Sequence, residues 1–258
     1  MDTGVTYADL EWKWFKSHLI VQVPENGSAT VATAAQLSDP SAHLLVAEHI
    51  NAKQGTATTS SSCDPASGSQ KWTYEQGVIL GALHDMYKIS GSASYLDPAE
   101  AIANTVETDQ QSTANLAPGP YSNPALDSVY GIGPNGTLSE PCDSSGGWPD
   151  NCAVTGSHQW FLQFKGIFIR NLACLSQDVS GAPNYQTFIA DNAATVFQDD
   201  QNTTSNFSAG ADLNLFGFLW DNDGKPWPGT ETAELNEATQ GSALDALIAN
   251  MGDSYAMC

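Results

Sequence analysis

Six stretches of helical periodicity, joined by connections that are alternately short and long, limit most strongly what this chain can fold into. Apolar residues recurring every three or four positions form a stripe along one helix face, and that stripe has to be buried against a neighbour. The second stretch opens at Thr73-Tyr74-Glu75-Gln76 and runs through Val78, Ile79, Leu80, Leu83, Met86 and Tyr87. Its first residues read as a capping box in which Thr73 and Gln76 satisfy backbone donors reciprocally. The third opens with Asp97-Pro98-Ala99-Glu100, an acidic cap with proline at the first helical position, and carries Ile102, Ala103 and Val106 inward. The fourth, residues 161–175, is apolar on most faces and is expected to be deeply buried. The fifth shows Tyr185, Phe188, Ile189, Ala193 and Val196, and the sixth Leu244, Leu247, Ile248 and Met251.

One-faced outer helices thus alternate with inner helices that are apolar nearly all round. A weak repeat supports the alternation. Val5-Thr6-Tyr7, Ala93-Ser94-Tyr95 and Pro183-Asn184-Tyr185 each precede an amphipathic segment, with tyrosines 88 and 90 residues apart (95−7 and 185−95). Inner-to-outer links are short, Ser90-Gly91-Ser92-Ala93 and Ser180-Gly181-Ala182-Pro183, whereas outer-to-inner links span roughly residues 21–70, 112–157 and 200–236. Connections longer than about 15 residues in a compact domain usually serve function or are disordered. In a ring of antiparallel hairpins all three would emerge on one face, at the N-termini of the inner helices.

Charge narrows the partners. Eight Lys and Arg stand against 29 Asp and Glu, for a net −21. Phosphate-rich nucleic acid and anionic membrane surfaces need clustered cations, so no nucleic-acid partner is expected and an anionic membrane surface is disfavoured; a neutral polysaccharide would not be repelled. No apolar run is long enough to span a bilayer. The start, Met-Asp-Thr-Gly-Val, is not a signal peptide, yet the body is poor in Lys, rich in Ser, Thr, Asn and Gly, and carries sequons at Asn26, Asn135, Asn202 and Asn206. These features favour a secreted or cell-wall glycoprotein. Of five cysteines, Cys63, Cys142 and Cys152 lie in loop-like segments suited to disulfides, Cys174 reads as a buried free thiol on a helix, and Cys258 ends the chain. No Cys/His spacing suggests zinc, and His18, His43, His49, His84 and His158 show no ligand pattern. Asp221-Asn222-Asp223-Gly224 opens like a calcium loop, but Pro226 and Thr232 stand where glycine and glutamate are required. No metal or cofactor is expected.

Four stretches carry a family resemblance. Trp72-Thr73-Tyr74-Glu75-Gln76-Gly77-Val78-Ile79-Leu80-Gly81, Glu140-Pro141-Cys142, Gln163-Phe164-Lys165-Gly166-Ile167-Phe168-Ile169-Arg170-Asn171-Leu172 and Gln240-Gly241-Ser242-Ala243-Leu244-Asp245-Ala246-Leu247 occur in this order. With them the chain resembles glycoside hydrolase family 76, the endo-α-1,6-mannanases and their fungal cell-wall relatives, with Glu75 replacing the usual Asn. The resemblance implies an all-α fold, an (α/α)6 toroid of twelve helical segments, of which about six are present here as the C-terminal portion of one domain spanning residues 1–258. It also implies a retaining mechanism on two adjacent aspartates followed by aromatics, one nucleophile and one acid/base. No such stretch occurs here; Asp199-Asp200 is adjacent but closes an outer helix.

The expectation is therefore an α-1,6-mannan hydrolase or transglycosidase portion that lacks the catalytic pair and is inactive alone. The alternatives are a non-catalytic carbohydrate-binding or cell-wall protein with half a toroid, and a truncated chain without independent function. Trp72, Tyr74, Glu75, Gln76, Gln163 and Lys165 are the candidate substrate-binding residues. Scaffold roles stand beside these: Gln76 closing the cap, Glu75 complementing the helix dipole, Lys165 in an ion pair. Arg170, the only arginine, is expected to tie helices together. Trp148, Phe216, Phe218, Trp220 and Trp227 are either sugar-stacking rings or loop anchors. The partner is α-mannan or another wall polysaccharide. Half a ring would also leave apolar helix flanks uncovered, including Trp12, Trp14 and Phe15, which favours self-association.

Overall fold

A computed structural model describes residues 3–23, 29–48, 50–53, 62–65, 71–108, 137–138, 140, 160–179, 185–199, 201–202, 215–217, 220 and 237–252. Six helices carry the fold among these: α1 (Thr3–His18), α2 (Thr73–Ser90), α3 (Leu96–Thr108), α4 (Phe164–Ser176), α5 (Tyr185–Asp199) and α6 (Glu237–Ala249). No described helix is long and apolar enough to cross a membrane. The architecture is all-α, as the periodicity requires.

The inner and outer assignment holds. α2 packs along α4 and α4 along α6, while α3 and α5 lie outside them. Two close backbone crossings explain the inner row. A Cβ at Gly77 would lie 2.6 Å from Phe168 Cα, and one at Gly166 would lie 2.6 Å from Ser242 Cα. Only glycine permits such approach, and the approach buries the small face of α6, namely Thr239, Ser242, Ala243 and Ala246. The stripe Leu244, Leu247, Ile248 and Met251, expected to face the core, is therefore corrected: Leu244 and Met251 are exposed. Arg170 Nη1 meets Asp245 Oδ2 at 3.2 Å and joins α4 to α6, as expected.

Outer helices are linked through the repeat tyrosines. Tyr95 Oη donates to Asp9 Oδ1 on α1 at 2.6 Å, and Tyr185 Oη donates to Asn104 Oδ1 on α3 at 2.9 Å. Each tyrosine reaches back to the preceding outer helix. Between α2 and α3, Gly91 adopts φ +68 and its N–H bonds Tyr87 O at 2.7 Å, the left-handed stop that keeps this link short.

The long links contain strands that the helical reading did not anticipate. The first holds an antiparallel sheet of β1 (Ile20–Gln22), β2 (Thr30–Val31) and β3 (Leu44–Val46) in the order β2-β1-β3, with Val21 opposite Val31 and Leu45. A hairpin of β4 (Ile50–Lys53) and β5 (Ser62–Pro65) follows, and β6 (Gln201–Asn202) pairs with β7 (Leu215–Phe216) in the third link. Short strands let these links satisfy their own backbone donors over helical surface. The sheet also packs beside α1, so Trp12 and Phe15 lie against the core and only Trp14 of that trio is largely exposed. Cys174 is buried but disulfide-bonded, which corrects the free-thiol expectation. Cys142, Cys152 and Cys258 lie outside the described residues, as do Asn26, Asn135, Asn206 and the Asp221–Gly224 segment.

Candidate functional site

The three long links converge where expected, at the N-termini of α2, α4 and α6. Val46, from the first, exchanges two hydrogen bonds with Gln76: its N–H donates to Oε1 at 2.8 Å and its carbonyl accepts from Nε2 at 3.0 Å. Glu140, from the second, accepts from the backbone N–H of Thr73 at 3.2 Å and from the Thr73 hydroxyl. From the third, Phe216 exchanges N–H and carbonyl bonds with Gln240 at 3.1 and 2.7 Å, and Trp220 covers Lys165. Gln76 and Gln240, both at the fourth position of an inner helix, thus do the same work. Each amide presents one donor and one acceptor, as a neighbouring strand would.

This geometry corrects the capping expectation. Trp72, not Thr73, is the N-cap residue, with extended φ −89 and ψ 150. Glu75 closes on it, Oε2 accepting the Trp72 N–H at 3.1 Å. The box is shifted by one residue because Gln76 is turned away to clamp β3.

Of the six candidate binding residues, three are buried and packed into the scaffold. Gln76 is fully enclosed and its amide also bonds the Trp72 carbonyl at 3.2 Å. The Trp72 indole is buried edge-on to Phe164, centroids 5.6 Å apart. Lys165 is buried with Nζ 5.2 Å from the Trp220 ring centre, a cation–π contact that offsets part of the ammonium's desolvation. The other three reach the rim. Tyr74 is partly exposed and packs on Phe164, ring centroids 4.1 Å apart. Glu75 is partly exposed beside it, and Gln163, capping α4, is exposed without a side-chain capping bond.

The electrostatics of this corner are unusual. Burial, then the charges of Glu48 and Glu140, push the Glu75 carboxyl up to about 9, so it holds a proton at neutral pH. Burial lowers Lys71 to about 8, opposed by Glu75, and burial with Glu75 raises Tyr74 to about 12. The physical cause is a shared one: several carboxyl groups compete for charge in a partly dry corner, and Glu140, holding two donors from Thr73, is the better-satisfied anion. Glu75 is hydrogen-bonded to the Tyr74 side chain and accepts the Trp72 N–H, so its neutral carboxyl joins the tyrosine to the start of α2. Glu48, Lys71 and Phe164 were not foreseen as members: Glu48 comes from the first link, whereas Lys71 stands just before α2 and Phe164 opens α4. Trp220 is a core anchor, Phe216 is half-buried against the core, and Trp148, Phe218 and Trp227 lie outside the described residues. Among the described residues no group of three His, Cys, Asp or Glu is placed to hold a metal ion.

Solved structures similar to this chain share the arrangement of helices. The GH76A α-1,6-mannanase of Salegentibacter sp. HEL1_6 matches with TM-score 0.51 at 20% identity, over 95% of this chain and 52% of that one. An inactive variant of the same enzyme with two aspartates replaced by alanine, in complex with α-1,6-mannotetrose, matches with TM-score 0.54 at 19% identity, over 95% and 51%. Its counterpart with two asparagines, in complex with α-1,6-mannotriose, gives 0.53 at 19% over the same shares. The chain therefore spans about half the length of these structures. Among curated proteins none matches it. The model of glycosyl hydrolase family 76 matches residues 25–256, nearly the whole sequence, and the chain belongs to that family.

Proposed function

We propose that this chain forms one wall of an α-1,6-mannan-binding cleft, in a protein that hydrolyses or transfers α-1,6-mannosyl linkages at the secretory or cell-wall surface. The observation that carries the reading is the aromatic step Trp72–Phe164–Tyr74 at the point where the links gather. It leaves a partly exposed tyrosine at the rim, hydrogen-bonded through its side chain to Glu75, with the exposed Gln163 next in the chain to Phe164. Pyranose rings offer apolar C–H faces and a fringe of hydroxyls, which such a mixture of ring and planar polar groups suits. The similar Salegentibacter enzyme, seen with α-1,6-linked mannooligosaccharides, points to the same class of ligand. The strongly acidic surface is compatible with a neutral polymer, and the sequons favour passage through a secretory route.

Calorimetric titration with α-1,6-mannotetraose tests this. Binding is expected, weakened about tenfold or more by Tyr74→Ala and several-fold by Gln163→Ala, as lost stacking and hydrogen bonds of about 1–1.5 kcal/mol require. Incubation of the chain with α-1,6-mannan is expected to release no mannooligosaccharide, because no adjacent aspartate pair followed by aromatics stands in the sequence. Absence of binding at millimolar glycan, or equal binding by wild type and both variants, would sink the reading. A mass shift on enzymatic deglycosylation of the protein from a eukaryotic host checks the secretory expectation.

A further inference from the structure

Cys174 on α4 is buried and disulfide-bonded. The bond closes within these residues, so its other half is Cys63, Cys142, Cys152 or Cys258. A disulfide holds its two Cα atoms about 4.4–6.8 Å apart, so the position of Cys174 along α4 selects among the four.

α4 meets α6 along a stripe that steps by four residues, Gly166, Arg170 and Cys174. Gly166 lies against Ser242 and Arg170 pairs with Asp245, so the two helices run in the same direction. The next turn of α6 after Asp245 brings Ala249, its last residue, and the next turn of α4 brings Cys174. Cys174 therefore stands level with the C-terminal end of α6, at the foot of the inner row, opposite the rim. There the Asn250 N–H bonds Ala246 O at 3.2 Å, the Met251 N–H bonds Ile248 O at 2.9 Å, and Gly252 takes φ +72. A left-handed glycine of this kind turns the chain off the helix axis. Cys258 follows Gly252 by six residues, which reach about 20 Å when extended.

The other three cysteines belong to links at the opposite end. Cys174 is ten residues past Phe164, about 15 Å along α4 from the rim. Cys142 is two residues from Glu140, which holds the Thr73 N–H at the start of α2, and two residues reach only about 7 Å. Cys142 and Cys152 both lie on the stretch between Glu140 and Trp160, which leaves the rim and returns to it. Cys63 is on β5, in the hairpin beside α1.

We propose that Cys174 and Cys258 form a disulfide that straps the chain beyond α6 across the foot of α4. α6 is then fastened at both ends, by Gln240 on Phe216 at the rim and by the strap at the foot. The strap spans 84 residues (258−174), among them α5, the third link and α6. Forming it removes one proton and one electron from each thiol. Both electrons pass to an acceptor disulfide, that of a thiol oxidoreductase or oxidised glutathione, which becomes two thiols. Such acceptors prevail in secretory compartments and are outweighed by reductants in the cytosol, so the bond belongs to protein made by the secretory route. It does not depend on glycan binding at the rim.

Peptide mapping without reduction tests the proposal on the full chain secreted from a eukaryotic host, with free thiols alkylated first and glycans removed. Cleavage after Lys, Arg and Glu leaves Cys63, the Cys142 and Cys152 pair, Cys174 and Cys258 on four separate peptides. Peptides 171–231 and 238–258 are expected to travel joined and to part on reduction. Cys174 found alkylated, or joined to any of the other three cysteines, overturns the proposal. Cys258→Ser is expected to lower the melting temperature by about 4–16 °C, as loss of a long-loop disulfide in a domain of this size requires. Hydrogen exchange should quicken at the Asn250 and Met251 amides and stay unchanged at Phe216. An unaltered melting temperature with unaltered exchange would show that no strap holds the end of α6, against the proposal.

Discussion

Replacing Gly77 by alanine probes the α2–α4 crossing directly. The new Cβ would sit 2.6 Å from Phe168 Cα and 2.9 Å from both Ile167 O and Phe168 N. All three atoms are backbone of a buried helix, so no side chain can rotate away. Ordinary contact begins near 3.4 Å, and the helices must part by roughly 1 Å, a gap that forfeits a quarter to a half of each contact's dispersion energy along the interface. Overpacking of this kind costs about 3 kcal/mol at the upper end of its usual range. Alanine recovers about 1 kcal/mol through helix propensity. A net loss of about 2 kcal/mol lowers the melting temperature of a domain this size by about 4–8 °C. Gly81→Ala, one turn on, is the control. Its nearest atom is the Asn171 side-chain oxygen, which can swing aside, and its loss is expected to stay within about 1 kcal/mol. Thermal denaturation of both variants at one protein concentration decides the matter. A Gly77→Ala protein as stable as wild type, or less affected than Gly81→Ala, would refute the close-crossing argument.

Three further outcomes follow from the site. Gln76→Ala strands the buried N–H and carbonyl of Val46, which at about 1–2 kcal/mol each implies a loss of about 2–4 kcal/mol in urea unfolding, with faster hydrogen exchange at the Val46 amide. Glu75 keeps its proton in the fold up to about pH 9, whereas the unfolded chain releases it near 4.5, so the native state binds more protons between these values and stability falls as pH rises through that window. Glu75→Gln removes this slope; it should match wild type near pH 4 and exceed it by up to about 3 kcal/mol at pH 7, and parallel curves at all pH would contradict the assigned cause. Asp178 is held below the usual carboxylate range by hydrogen bonds from His84 and Lys88. Its contribution is present above the unfolded carboxylate value and lost as pH falls through the folded one, so Asp178→Asn should destabilise at pH 6 and make no difference in acid unfolding near pH 2.

Much of the scaffold was legible because helical burial is a local, periodic property. Leu83 and Phe168 announce their faces through spacing, and Pro98 and Gly91 mark helix ends through backbone chemistry that neighbours cannot override. The rim was legible only in outline. That the long links meet the inner-helix N-termini follows from alternation alone, but which side chain does what there does not. Gln76 reads equally well as a cap or a ligand, and its clamp on Val46 is visible only in the fold. The stripe on α6 misled for a definite reason: hydrophobicity ranks Leu244 above Ser242, while the crossing with Gly166 selects for size and buries the smaller residue.

The amino-acid sequence by itself determined six helices, their inner and outer alternation, the gathering of the links on one rim and the family to which the chain belongs. All of these depend on residue order over one or two helical turns or on the lengths between them. Only the tertiary structure decided that Glu75 is neutral, that Lys165 lies under Trp220, and that Gly241, among the described residues, has no neighbour within 4 Å of an added Cβ. Charge state and free surface depend on atoms brought together from links 60 or more residues apart, as Glu140 is to Thr73, and nothing in local order encodes that distance.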